Sequence, residues 1–114
     1  MATLKAHAQQ ANHNQAFLDS IDPAIFPDWV VTAAFYKAVH LVEGLLVRKG
    51  RQSAGHYQRN GVLKRQFAAV WKEYRPLYNL SRTARYLCIP IRPQDVSYAL
   101  GRLAAVDSAV TSIP

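Results

Sequence analysis

Residues 27–50 read PDWVVTAAFYKAVHLVEGLLVRKG, and this run carries the clearest helical signal in the chain. Pro27 suits the first turn of a helix, and Asp28 adds negative charge near the positive end of the helix dipole. A basic pair then precedes Gly50, which is a typical way for a helix to end. Apolar side chains occupy nearly every face of the run, as in a helix that is packed on several sides. We therefore expect a central, buried helix here.

Proline and glycine divide the rest of the chain into further helices. We expect a first helix over about Thr3–Ser20, a short polar third helix capped by Ser53, and a fourth over about Ala69–Leu87. Pro76 predicts a kink or a restart within the fourth helix, because proline removes a helical hydrogen bond. Pro93 opens a last helix. The fold prediction is an all-α, antiparallel up-and-down bundle of four long helices and one short helix.

Length and composition predict one soluble domain spanning residues 1–114. Half of the 114 residues are hydrophobic, which is enough for a packed core. The single cysteine excludes an internal disulfide framework and fits a cytoplasmic protein. No signal peptide is visible, and Lys37, His40 and Glu43 interrupt the most apolar run, so we expect no membrane association.

The positive charge is concentrated in one segment. Eleven of the fourteen Lys and Arg residues lie between Arg48 and Arg92, where Glu73 is the one acid, so this segment carries +10 and the remainder −3. Nine of the fourteen basic residues are Arg, whose planar group suits phosphates and base edges. Such a field favours RNA or a nucleotide as partner, with an acidic protein or a merely soluble basic surface as alternatives.

Several kinds of chemistry lack the residues that they need. The sequence has no Gly-rich phosphate loop, no His-x-x-x-His pair and no Cys-x-x-Cys pair. The seven carboxylates are scattered, whereas a two-metal nuclease or a glycosidase needs them clustered. We therefore expect neither a metal nor a cofactor.

One constellation contains groups able to act on RNA. Arg51 and His56 lie close together in a Gly-rich turn, and Arg59 and Asn60 follow one helical turn later. Histidine can transfer protons near neutral pH, and arginine can stabilise charge on a phosphate. The candidate roles are His56 as general acid/base, Arg51 and Arg59 as phosphate stabilisers, and Asn60 as a positioning group. Alternatively, Arg51 is a solvated loop residue and His56 only caps the third helix.

Two further groups of polar residues are candidates for binding. Tyr36 and His40 share a stripe of the central helix, with Lys37 nearby, and either line a polar pocket or bond to neighbouring helices. On the fourth helix, basic and aromatic residues combine as on surfaces that hold phosphates and stack bases. That predicted binding wall consists of Arg75, Arg82, Arg85 and Tyr86. Its alternative is arginine paired with an acid across the bundle.

Three segments together resemble HEPN domains. These are AFYKAVHLVEGLLVRKG at 34–50, SAGH at 53–56 and YRPLYNLSRTARY at 74–86. The resemblance implies a helical bundle that forms a homodimer and acts on RNA or nucleotides. Many HEPN proteins are metal-independent endoribonucleases of toxin–antitoxin or defence systems. Others are non-catalytic modules that act with a small nucleotidyltransferase or an antitoxin.

The resemblance also bears on the candidate site. Active HEPN domains carry an Arg followed a few residues later by a His, and only Arg51 and His56 have that spacing here. The usual motif lies on a late helix, whereas this pair spans a turn in mid-chain. Gln52 follows the Arg directly, and no His occurs after His56. Two functions therefore remain open: an RNA- or nucleotide-binding module that cleaves RNA, and one that only binds.

Overall fold

The computed structural model describes residues 2–114, and these residues contain five α-helices and no strand. Met1, the first residue of the predicted domain, lies outside this range. The helices are α1 (Leu4–Ser20), α2 (Pro27–Arg48), α3 (His56–Gln66), α4 (Ala68–Tyr86) and α5 (Pro93–Thr111). The predicted all-α class is confirmed, and the five helices match the four long elements and the one short element expected from the sequence.

Helix α2 lies at the centre of the fold, as its sequence predicts. It packs against α1, α4 and α5, and α4 additionally contacts α3 and α5. Side chains on several faces of α2 are buried, among them Val30, Ala33, Val39 and Leu46. The helix is long and apolar enough to cross a membrane, but 72% of its most apolar window is buried inside the fold. That burial is typical of the core helix of a soluble protein.

The helix ends follow the sequence signals with one exception. Thr3 caps α1 by accepting a hydrogen bond from the Ala6 N–H (3.0 Å), and prolines occupy the first turns of α2 and α5. The predicted cap of α3 is wrong. Ser53 donates its hydroxyl hydrogen to Glu43 of α2, and Gly55, with φ of 152°, precedes α3 instead. The Ser53 hydroxyl is therefore bonded to a carboxylate on a neighbouring helix and does not cap α3.

Of the predicted kink or restart at Pro76, the restart does not occur, since α4 runs unbroken from Ala68 to Tyr86. Pro76 has no N–H to donate to the carbonyl one turn earlier. Two residues close to it, Tyr74 and Leu77, are fully buried in the core. Packing of this face against α2 and α5 therefore maintains a helix that local preference would interrupt.

Two residues of the basic segment stabilise the end of α5. Arg48 donates to the carbonyl oxygens of Val110 (3.1 Å) and Ile113 (3.0 Å), and Lys49 donates to that of Pro114 (2.5 Å). Carbonyl groups at a helix C-terminus lack partners within the helix and carry partial negative charge. Part of the basic segment thus serves the fold.

The unbroken helix α4 leads to a prediction about its proline. Pro76→Ala restores the missing N–H, which favours the folded state, but it also gives the unfolded chain more conformational entropy, which opposes folding. The net effect should be a stabilisation of about 2 kcal/mol. Pro93→Ala is the matched control, because Pro93 lies at the start of α5, where no N–H is needed; it should destabilise by about 0.5 kcal/mol. Urea unfolding of both variants measures the difference. Equal stabilities for the two variants would contradict this account of α4.

Candidate functional site

A buried ion pair joins α2 to α3. The Nε atom of Arg59 donates to Oε1 of Glu43 over 2.6 Å, and only 7% of Arg59 is exposed. The same carboxylate oxygen accepts the hydroxyl hydrogen of Ser53. An arginine buried in this way is occupied by its partners, so Arg59 holds α3 against α2 and does not face solvent.

The ion pair continues to His56, whose Nδ1 lies 2.9 Å from Nη1 of Arg59. A guanidinium group can only donate, so Nδ1 must accept this hydrogen bond and the ring proton must reside on Nε2. Partial burial lowers the pKa of His56, and the positive charges of Arg59 and Arg85 lower it further. His56 is therefore a neutral imidazole that presents an Nε2–H donor.

Aromatic rings hold His56 from the core side. Phe35 is fully buried, and its ring centroid lies 5.4–5.8 Å from those of Tyr36, His56, Tyr74 and Tyr78. Burial raises the pKa of Tyr74 to about 12, with the neighbouring Arg59 opposing the shift, so its hydroxyl stays protonated. The rings fix the position of the imidazole between α2, α3 and α4.

Arg85 closes this aromatic cluster on the α4 side. Its guanidinium carbon lies 4.8 Å from the ring centroid of Tyr86, 5.1 Å from that of Phe35 and 5.6 Å from that of Tyr36. It also donates to the Tyr36 hydroxyl (3.1 Å), the Tyr86 hydroxyl (3.2 Å), and the carbonyl and hydroxyl oxygens of Ser81 (both 3.3 Å). Most of its donors are thus occupied by protein groups, and Arg85 is rigidly oriented.

An open groove of about 1010 Å³ runs along α3 and the first half of α4. Three aromatic side chains border it: Tyr57, which is 94% exposed, and the half-buried Trp71 and Tyr78. Two exposed cations, Lys64 and Arg65, lie on its α3 side. The remaining lining residues are Ala54, Gly55, His56, Gln58, Asn60 and Gly61. The groove therefore combines flat apolar surfaces with positive charge.

Two details of the groove concern its polar groups. The Oδ1 atom of Asn60 is shut off from solvent and has no hydrogen-bond partner among residues 2–114. The Arg65 side chain folds back over Gly61, where a Cβ atom would lie 3.0 Å from Nη1 of Arg65. Glycine at this position lets the guanidinium lie along the helix.

Most of the remaining positive charge has no acidic partner. Within residues 2–114, three ion pairs form, and they involve Arg59, Arg92 and Arg102. Six exposed cations of the basic segment make neither an ion pair nor a side-chain hydrogen bond within that range. These six are Arg51, Lys64, Arg65, Lys72, Arg75 and Arg82. Their charges remain available to a polyanion.

The structure separates the four predicted catalytic residues into three environments. His56 and Asn60 border the groove, whereas Arg59 is buried behind His56. Arg51 is exposed in the α2–α3 loop and is not among the groove's lining residues. His56 is thus hydrogen-bonded to Arg59 and not to Arg51.

The residues of the predicted binding wall also lie in different environments. Arg75 and Arg82 are exposed on α4 without partners among the described residues, and Tyr86 is exposed at its end. Arg85 instead belongs to the aromatic cluster. The alternative, an arginine of this wall paired with an acid across the bundle, does not occur within residues 2–114, since the ion pairs there involve other arginines.

The three residues of the predicted polar pocket form hydrogen bonds to two neighbouring helices, α1 and α4. Tyr36 accepts from Arg85 of α4, and Lys37 donates to Gln15 of α1 (2.7 Å). The Nδ1 atom of His40 lies 3.0 Å from that of His7 in α1. Tyr36 and His40 also border a shallow groove of about 250 Å³, which Lys37 does not line. The polar side chains of this stripe therefore serve mainly to form hydrogen bonds with neighbouring helices.

Sequence reasoning missed five of the groove residues, namely Tyr57, Lys64, Arg65, Trp71 and Tyr78. A signal was present, because positions 57, 60, 61, 64 and 65 follow the spacing of one helical face. The groove is built from one face of α3 and one of α4, and residues brought together by helix packing share no local motif.

No protein-family model, curated protein or solved structure matches the chain. The resemblance to HEPN domains therefore stays a prediction, and the function has to be argued from the site itself.

The Glu43–Arg59 pair predicts a large effect of one substitution. Glu43→Gln leaves a buried guanidinium without its counter-charge and should destabilise the protein by about 3 kcal/mol. Glu73→Gln is the matched control, because its pair with Arg102 is partly exposed and should contribute less than about 1 kcal/mol. Chemical unfolding of the two variants tests the prediction. A loss at Glu43 no greater than that at Glu73 would show that the pair does not hold α3.

The histidines predict how stability depends on pH. Burial, then the nearby His7 and Arg59, lowers the pKa of His40, and the pKa of His56 is lowered as well. Both therefore take up protons more readily in the unfolded chain, so their contribution is fully present above about pH 6.5 and is lost as pH falls below it. Thermal unfolding at pH 7.5 and 5.5 measures the loss.

Variants assign this pH dependence to the two residues. His40→Gln and His56→Gln should each reduce the stability difference between pH 7.5 and 5.5. His13→Gln is the control, because His13 is exposed on α1 and should leave the difference near that of the wild type. An undiminished difference in both variants would contradict the assignment.

Proposed function

We propose that this protein is an RNA- or nucleotide-binding helical module and that the α3–α4 groove is its binding site. The main support for the proposal is that one groove contains three aromatic side chains, two unpaired cations and a neutral histidine. Aromatic surfaces stack bases, and lysine and arginine contact phosphates. The groove has the size typical of ligand sites in proteins.

The charge outside the groove supports the same ligand. Lys72, Arg75 and Arg82 lie exposed on α4, and Arg51 is exposed in the loop before α3. Their field attracts a polyanion and raises its rate of association. A chain of phosphates longer than one nucleotide would contact more of these cations than a mononucleotide can. This favours RNA over a mononucleotide as the ligand.

The state of His56 supports binding more than cleavage. A general base needs a ring nitrogen with a free lone pair near the proton that it removes. In His56 the lone pair of Nδ1 is used by Arg59, and Nε2 already carries the proton. We therefore propose a non-catalytic module; the alternative is the metal-independent endoribonuclease that active HEPN domains suggest.

The setting that we propose follows the HEPN resemblance. In it, α1, α2, α4 and α5 form an antiparallel up-and-down bundle, and the protein acts in the cytoplasm within a toxin–antitoxin or defence system. We also propose a homodimer. The support for it is a cleft of about 490 Å³ beside the half-exposed Phe17, Phe26 and Trp29, since exposed apolar clusters are typical of protein interfaces.

A second candidate is a module that binds an acidic protein, such as an antitoxin or a small nucleotidyltransferase. The observation in its favour is that Lys72, Arg75 and Arg82 lie on α4 outside the aromatic groove. A partner protein would need these charges but not the stacking surfaces. Capture of an acidic protein after RNase treatment would favour this candidate.

The proposal predicts salt-sensitive binding without cleavage. A fluorescent single-stranded RNA should bind the wild type, lose affinity steeply as salt rises, and remain intact in EDTA. Lys64→Gln should weaken binding and reduce the slope of log affinity against log salt by about one. Lys5→Gln is the matched control, because Lys5 is an exposed lysine on α1.

Anisotropy titrations and gel analysis of the same samples measure both properties. Absence of binding by folded protein would refute the proposal. EDTA-resistant cleavage that disappears in His56→Ala would instead establish the ribonuclease and overturn the non-catalytic assignment.

A further inference from the structure

We infer that the α3–α4 groove selects single-stranded RNA by stacking an unpaired base on its aromatic side chains and bonding to the edge of that base. This inference rests on the proposed function and deepens it, because it names the part of the RNA that the groove recognises. Recognition of a base requires more than charge, since the exposed cations on α4 could contact phosphates whether or not bases are present.

The aromatic residues are placed to receive a flat ring. Tyr57 is 94% exposed and makes no side-chain hydrogen bond within residues 2–114, although it borders the groove on α3. Trp71 and Tyr78 border the groove on α4, one above the other at a spacing of two helical turns. Each is backed by the core, because Trp71 packs on Tyr74 (ring centroids 6.4 Å apart) and Tyr78 on Phe35 (5.8 Å).

These aromatic groups differ in packing in a way that suits stacking. The rings on α4 pack on aromatic neighbours in the core. The Tyr57 side chain is 94% exposed, so its ring has little packing to lose when it contacts a ligand. A base that enters the groove can lie on the α4 rings and be covered by the Tyr57 ring, which shields it from water.

A polar group at the groove matches the edge of a base. His56 lines the groove and presents an Nε2–H donor, because its Nδ1 accepts from Arg59. Every nucleobase carries an acceptor on its pairing edge. A base that lies on the aromatic surfaces could therefore accept a hydrogen bond from His56.

The same features exclude a duplex. In double-stranded RNA the bases are stacked on each other and their pairing edges are occupied, so neither the aromatic surfaces nor His56 can reach them. Lys64 and Arg65 lie beside the groove, and Arg65 is laid along α3 over Gly61. They are placed to contact the phosphates on either side of an inserted base.

Three RNA probes of equal length separate base recognition from charge. They are a fluorescent single-stranded adenosine 10-mer, the same strand paired with a uridine 10-mer, and a ribose-phosphate 10-mer that lacks bases. The single strand should bind on the order of tenfold more tightly than the abasic strand and the duplex, since stacking of one base accounts for about that factor. Anisotropy titrations at one salt concentration measure all three.

Variants locate the effect in the groove. Tyr57→Leu should reduce the preference for the single strand over the abasic strand by about fivefold or more, with little change in binding of the abasic strand. The near-complete exposure of Tyr57 makes the variant safe for folding. Tyr98→Leu is the matched control, because Tyr98 is a half-exposed tyrosine on α5, and it should leave the preference unchanged.

The outcomes distinguish this inference from the proposed function. Equal, salt-sensitive binding of all three probes would overturn base recognition while leaving RNA binding intact. An unchanged preference in Tyr57→Leu would also overturn it. Absence of binding by any probe would overturn both the inference and the proposed function.

Discussion

The buried ion pair between Glu43 and Arg59 is the interaction on which the site depends. Taking both charges out of water is costly, and close geometry with additional hydrogen bonds has to offset that cost. Here one carboxylate oxygen accepts from both Arg59 and Ser53, so helix α3 and the loop before it are fixed to α2 at one point. Apolar packing alone would allow α3 to shift along α2, whereas this pair specifies one position.

Glu43, Arg59 and His56 form a series of hydrogen bonds, and the order of the three side chains in that series determines the chemistry of the imidazole. A carboxylate next to a histidine stabilises the charged ring, and such a pair can remove protons. Here the cation of Arg59 stands between the two, so the ring stays neutral and offers a hydrogen to the groove. The same residue types therefore support recognition in this arrangement, although their spacing in the sequence suggests catalysis.

The sequence predicts the helices well because their signals are local. Prolines at helix starts and the apolar run of α2 act within a few residues, and tertiary contacts do not oppose them. Two expectations fail where a distant contact prevails: Ser53 bonds to Glu43 on another helix and does not cap α3, and core packing continues α4 through Pro76 without a restart. The groove shows the same limit, since His56 and Asn60 could be singled out from the chain, but their aromatic neighbours on α4 come from the packing of two helices.

The protonation state of His56 decides whether the groove can bind or cleave RNA, and nitrogen-15 NMR of the histidine side chains measures it. At pH 7, Nε2 of His56 should resonate as a protonated nitrogen and Nδ1 as an unprotonated, hydrogen-bonded one. Addition of single-stranded RNA should then shift the Nε2 signal, because that atom faces the ligand. A spectrum in which Nδ1 carries the proton, or in which both nitrogens do, would contradict the arrangement of Glu43, Arg59 and His56 and the binding role derived from it.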